Sequence, residues 1–255
     1  MRMVLAVMYR EYRIRTTSLT WLFFDLFMPL TYLLLFGIGL DRTFQGGVAL
    51  AGTTVSYNAF FLAGVLSMAC FGIAINTSYG FFVDRDNGML YEFLTYPMTR
   101  TEFLVGKILF NCLTSLLQAT LTITLGALLL NIPVRLEWSV VLAPVIVLGT
   151  AGWFFFLTTF ALLIRRNDMF NTFINVAYFL FMFASSLFYP AEALPAWLRV
   201  IAIGNPFTWH TDIVRYLTIG VGAPGSVLAE LGGFLLFTGV SFGAASWTLR
   251  RGLLR

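Results

Sequence analysis

Charge is what this sequence has least of. Only 11% of its 255 residues are Asp, Glu, Lys or Arg, while 59% are hydrophobic, less than half the usual charged fraction of a soluble domain. That balance excludes a soluble globular fold and a disordered chain, neither of which could hold so much apolar surface away from water. Cysteine is also scarce. Cys70 and Cys112 are the only two, with no C-x-x-C spacing, so neither a disulfide framework nor a thiolate metal site is supported. There is one histidine, His210. A phosphate-cradling loop is missing too, because the one Gly-Lys pair, Gly106-Lys107, has Thr101 where the first glycine of G-x-x-x-x-G-K-[ST] must stand.

What is present is a set of long uncharged runs. They extend from Thr53 to Val83, Ile108 to Val134, Trp138 to Ile164, Met169 to Ala191 and Leu231 to Leu249, and a sixth from Thr16 to Leu40 is interrupted only by Asp25. Each is long enough to cross a bilayer as a helix. The expectation is an all-α integral membrane protein forming one domain, with spans at about 18–40, 55–83, 108–131, 138–164, 169–189 and 229–249.

The basic residues alternate along the chain. Twelve of the sixteen Lys and Arg lie in the N-terminal segment, the second and fourth connections and the C-terminus, including Arg85, Arg100, Lys107, Arg165, Arg166 and Arg250. By the positive-inside rule both termini face the cytoplasm. The net charge of +4 follows from this bias and implies membrane-surface anchoring, not nucleic acid. Met1 to Arg15 lacks a small-residue cleavage site and is read as an unprocessed amphipathic helix lying at the interface, about residues 1–17, with Arg2, Arg10 and Arg13 on one arc and Val4, Leu5, Val7, Met8, Tyr12 and Ile14 opposite.

Two connections carry more information than the rest. In the second, Gly88 to Tyr96 reads as a short helix stopped by Pro97, and Thr99 to Glu102 fits a capping box that opens the next helix. The apolar side chains of this elbow have no core of their own to enter, so they should meet the membrane surface or a partner. In the fifth, Pro195, Gly204 and Pro206 break an otherwise span-like run that also holds Arg199. Two short helices entering the membrane from outside fit it better than a seventh span.

Catalytic chemistry finds little support. His210 stands two residues from Asp212, and Gly239-Val-Ser241 is a short G-x-S match, but nothing positions an oxyanion hole. Asp25, an ionisable group inside a span, is read as satisfied by interface water or by an arginine of the N-terminal helix rather than as a proton-coupling site. The polar residues Asn76, Asn111, Gln118, Asn171 and Asn175 are candidates for a pathway lining, with helix-to-helix hydrogen bonding as the plainer reading.

Taken with the six spans, four stretches resemble the permease subunit of ATP-binding-cassette exporters of the type 2 permease class. They are the amphipathic N-terminal helix, the run from Glu92 to Lys107, the segment from Phe188 to Trp197, and the run from Asn205 to Arg215. The resemblance implies a dimer of permeases, a homodimer or alternatively a heterodimer, with two cytoplasmic ATPase subunits, which would hold ATP and Mg; the chain itself holds no cofactor and is no enzyme. It assigns residues 88–97, among them Leu90, Tyr91, Glu92, Phe93, Leu94 and Tyr96, to a coupling helix docking on the ATPase, with Arg100, Arg165 and Arg166 beside it. Pro190, Glu192, Trp197, Asn205, Pro206 and His210 become parts of an outer gate. It further implies a bacterial inner-membrane location, lipid contact, and export of a hydrophobic or amphiphilic molecule such as a drug, natural product, lipid or lipo-oligosaccharide. The rival readings are an ATP-independent carrier or channel and a membrane-embedded lipid-processing enzyme.

Overall fold

The computed structural model describes residues 2–17, 19–43, 47–50, 52–93 and 95–251. Ten α-helices account for most of them. They are α1 (Arg2–Thr17), α2 (Leu19–Thr43), α3 (Tyr57–Asp86), α4 (Met89–Phe93), α5 (Arg100–Leu130), α6 (Ser139–Leu163), α7 (Asn167–Phe183), α8 (Ala196–Ile203), α9 (Pro206–Ile219) and α10 (Pro224–Arg251). Between α2 and α3 the chain forms a two-stranded antiparallel hairpin, β1 (Val48–Leu50) and β2 (Thr53–Val55), with Ala49 opposite Thr54. By sequence, residues 41–52 read as a short glycine-rich loop holding no domain. The β-branched Val48, Thr53, Thr54 and Val55 around Gly52 are the signal that was there.

Among the described residues, five helices or helical stretches are long and apolar enough to cross a membrane: Phe23–Thr43, Tyr57–Asp86, Arg100–Leu130, Leu136–Leu163 and Pro224–Arg251. They correspond to five of the six expected spans. The sixth expectation, 169–189, meets α7, which has 17 residues and stops at Phe183, a rise of about 25 Å against roughly 30 Å of bilayer core. Serine side chains end it early. Ser185 Oγ donates to Met182 O (2.5 Å) and accepts from Leu187 N (3.2 Å), while Ser186 N donates to Thr208 Oγ1 (3.1 Å), so backbone groups that would continue the helix find other partners.

α3 is the centre of the molecule. Buried residues make up 89% of its most apolar window, against 17% for α2 and 11% for α10, which therefore present their apolar faces outward, as a lipid-facing helix does. α6, α2, α5 and α9 surround α3, and α10 lies against α6 and α9. An aromatic cluster fastens the centre: the Trp153 indole of α6 stacks on Phe71 of α3 at 4.2 Å, with Phe181 of α7 and Phe237 of α10 each 5.0 Å from it. Such ring pairs add about 0.5–1.5 kcal/mol each beyond their buried area.

The bundle has two chemically distinct ends. At one, Arg85 of α3 donates to the carbonyls of Ala161 and Ile164 (2.8 Å for the latter) where α6 stops, and Arg100 at the start of α5 donates to Leu249 O of α10 (3.3 Å). Arg165 and Arg166 follow the end of α6 directly, and Arg250 and Arg251 stand in the last turn of α10. The residues that the positive-inside count grouped by loop thus meet in space, and their cations cover helix C-termini, where the backbone dipole favours positive charge.

Candidate functional site

The arginine-rich end is tied together by α1. Its inward stripe is Val7, Glu11 and Arg15, all buried, at the i, i+4, i+8 spacing of one helix face. Leu5, Tyr9, Tyr12 and Ile14 point outward. The expected segregation of α1 into a basic arc and an apolar arc therefore needs correction: one acidic and one basic side chain lie on the side that enters the protein. They do so because partners wait there. Lys107 Nζ of α5 lies 2.8 Å from Glu11 Oε1 and 2.7 Å from Asp84 Oδ2, and Arg10 forks onto Asp84 at 2.6 and 3.0 Å. One turn further, Arg15 bonds Asp25 of α2 and donates to Asn111 Oδ1 of α5 (3.1 Å), and Asn76 of α3 donates to the other Asp25 oxygen (2.5 Å). Asp25 is thus paired as the sequence suggested. α1 approaches α5 closely at Gly106, where a Cβ would lie 2.8 Å from Val7 Cβ and 2.9 Å from Val4 O.

α4 forms the elbow between α3 and α5. The capping box is present, with Glu102 N donating to Thr99 Oγ1 (3.1 Å) and Thr99 N to Glu102 Oε2 (2.9 Å). The short helix ends at Phe93, before the expected Tyr96, and turns through Thr95 and Tyr96 into Pro97. Its apolar residues divide. Leu90 is buried in the core, and Phe93 packs on Phe103 (5.4 Å) beneath the Arg10 guanidinium (5.1 Å). The expectation that this surface lacks a core of its own is therefore corrected for these two. Met89, Glu92 and Tyr96 remain exposed, as do Arg165 and Arg166; Arg100 is half-buried against α10. Arg166 and Asp168 pair at 2.6 Å, and that bond holds the Asp168 carboxyl below its usual range. Leu94 lies outside the described residues.

At the opposite end, Asn205 joins three pieces of chain. Its Oδ1 accepts from Phe207 N (2.9 Å), capping α9, and its Nδ2 donates to Phe181 O (2.8 Å) and Ala184 O (2.7 Å) at the end of α7. Pro206 supplies the first residue of α9, where a missing N–H costs nothing. Trp197 and Glu192 are exposed and Pro190 half-buried. His210 sits elsewhere. It is fully buried between α3 and α6, with Nδ1 2.8 Å from Ser67 Oγ and Nε2 3.2 Å from Val145 O. The carbonyl can only accept, so Nε2 carries a proton and Ser67 donates to Nδ1 in the neutral ring. The ring occupies the space a side chain at residue 149 would need, which Gly149 leaves open. His210 is a tie inside the core, not a residue of an outer rim. Asp212 bonds Ser186 Oγ (2.8 Å) and Arg215 instead of His210, so no His–Asp pair forms.

A family model described as ABC-2 type transporter matches residues 3–219. The chain belongs to the ABC-2 type transporter family. It is 28% identical over 190 residues to "Putative transport permease ycf38" of Pyropia yezoensis, covering 74% of this chain and 64% of that protein. It is 25% identical over 202 residues to "Probable multidrug ABC transporter permease YbhR" of Escherichia coli K12, covering 77% of this chain and 54% of that one. The "Daunorubicin resistance ABC transporter permease protein DrrB1" of Streptomyces coeruleorubidus is 26% identical over 197 residues, 76% and 66% of the two chains. The chain thus matches between about half and two thirds of the length of these relatives.

Within this ABC-2 family chain the proposed pathway residues do not converge. Asn76 and Asn111 belong to the Asp25 network, Gln118 donates to Thr122 inside α5 (2.9 Å), and Asn171 and Asn175 bond along α7 itself, with Asn175 exposed. The exposed face of α7 is instead continuous with an apolar groove of about 1090 Å³ among α6, α7 and α8, lined by Phe173, Val176, Leu180 and Trp197. Sequence reasoning missed Glu11 and Asp84 altogether and took Lys107 for a surface charge. Acidic residues at i, i+4 from apolar ones on an amphipathic helix were the available signal for Glu11; for Asp84 there was only its place at the end of a span.

Proposed function

We propose that this chain is the membrane permease of an ATP-driven exporter, with α4 and the α6–α7 turn docking on a cytoplasmic ATPase subunit that supplies the nucleotide site this sequence lacks. The observation that carries the reading is the elbow at the arginine-rich end. Met89, Glu92 and Tyr96 are displayed there on a helix whose opposite side, Leu90 and Phe93, is anchored in the bundle. A push on that elbow is passed to α1, α3 and α5 through Arg10, Asp84 and Lys107. The family match and the permease relatives support it. α7 and the bent segment after it complete a sixth crossing, both termini are cytoplasmic in a bacterial inner membrane, and α8 and α9 form the outer re-entrant pair. The thinly covered α7 groove is where a second copy closes a twelve-span dimer around the route, with two ATPase copies beneath it. The cargo is hydrophobic or amphiphilic.

Purification of the tagged chain from its own membrane in mild detergent, followed by mass spectrometry of co-eluting proteins, tests this. A stoichiometric subunit with a Gly-rich phosphate loop is expected. A stable chain that elutes alone, with transport persisting when any ATPase is removed, moves the reading to a carrier or channel.

A further inference from the structure

A second cavity, of about 580 Å³, lies at the outer end between α8, α9 and α10. Its polar lining is lopsided once the hydrogen bonds are followed. Two guanidiniums reach it: Arg215 is buried and bonded within the protein, while Arg199 is exposed and bonds backbone carbonyls through Nη2. Arg215, 1% exposed, bonds Asp212 and Ser186 O (2.9 Å) and lies 4.1 Å over the Phe60 ring. Arg199 donates to the carbonyls of Glu192 and Leu194. The Ser186 hydroxyl is spent on Asp212, the Thr208 hydroxyl oxygen accepts from Ser186 N, and the Trp209 N–H donates to Ile203 O (2.6 Å). The acceptors are not used up. Glu230 Oε2 is buried with no hydrogen-bond partner, and Glu192, Asp212 and Glu230 set three carboxyl groups against two guanidiniums.

A buried carboxylate oxygen without a donor is costly, and a ligand that brings one relieves the cost. We infer that this cavity binds an amine-bearing amphiphile, whose ammonium group bonds Glu230 and whose apolar body lies against Trp209, Ile203 and Val227. The apolar walls argue for an organic cation over a bare metal ion, and Trp209 adds an aromatic surface to which a cation is attracted. As a statement about cargo this rests on the permease reading; as a statement about binding it stands alone, so the test uses no nucleotide and no ATPase.

The full chain in phosphatidylcholine nanodiscs is titrated at neutral pH with 4-phenylbutylamine and with 4-phenylbutanol, empty discs being subtracted. The amine should bind about tenfold more tightly, the difference expected of a charge-assisted bond, and Glu230→Gln should abolish that preference. Equal binding of amine and alcohol, or a preference that survives Glu230→Gln, overturns the assignment. Should that variant not fold, an aryl-azide derivative of the amine is photolysed on the unaltered chain: labelling between residues 186 and 233 supports the site, and labelling confined to other segments overturns it.

Discussion

Lys107 of α5 and Asp84 of α3 meet at 2.7 Å with both side chains sealed from solvent, and Glu11 of α1 closes on the same ammonium group at 2.8 Å. Three helices thereby share one buried cation. Removing it leaves Arg10 as the one cation of this cluster against the two carboxylates, so one negative charge is uncompensated. Lys107→Met should destabilise the chain by about 3–5 kcal/mol, the usual cost of an uncompensated buried charge, read as a lowered Tm in detergent. Adding Glu11→Gln and Asp84→Asn to it should return part of that loss; no recovery would mean that the charges act independently.

Gly106 makes the same junction possible sterically. With Val7 Cβ and Val4 O under 3 Å from where a Cβ would stand, Gly106→Ala should push α1 from α5 at a cost of about 1–3 kcal/mol. Val7→Ala should restore part of it, since one of the two obstructing groups is then smaller. Paired Tm measurements on the single and double variants decide this.

Asn205 serves two helix ends through one amide. Asn205→Ala gives up a cap and leaves the carbonyls of Phe181 and Ala184 without their donor, a loss of about 1–3 kcal/mol. Asn205→Asp keeps the cap to Phe207 N but turns a carboxylate oxygen toward those carbonyls, so it should be no better than alanine. A rescue by aspartate, measured as Tm, would show that the cap alone matters.

If α4 docks an ATPase subunit as proposed, substitutions at the elbow should separate docking from folding. Glu92→Lys and Tyr96→Asp change exposed positions, and both should release the ATPase subunit in a pull-down while the permease keeps its Tm. Leu90→Asp should behave differently. Leu90 is 1% exposed, and a carboxylate there enters the core, so the permease itself should lose about 2–5 kcal/mol or more of stability. Full retention of the complex by Glu92→Lys and Tyr96→Asp would sink the docking assignment.

Much of the architecture was legible in the one-dimensional pattern. Apolar run length located the helices, because in lipid a backbone must satisfy its own hydrogen bonds, and the Thr99–Glu102 spacing located the start of α5 because a cap is a local bond. The breaks at Pro195, Gly204 and Pro206 likewise separated α8 from α9 through backbone constraints that no distant residue alters. Only the tertiary structure decided which side chains those helices bring together. Glu11, Asp84 and Lys107 stand on α1, α3 and α5, and His210 enters between α3 and α6 where Gly149 gives it room. Leu90 turns inward while Glu92, two residues on, stays out. Periodicity ranks the faces of one helix at a time; which face is buried, and whether a charge on it is a cost or a clasp, depends on the partner supplied by a helix far along the chain.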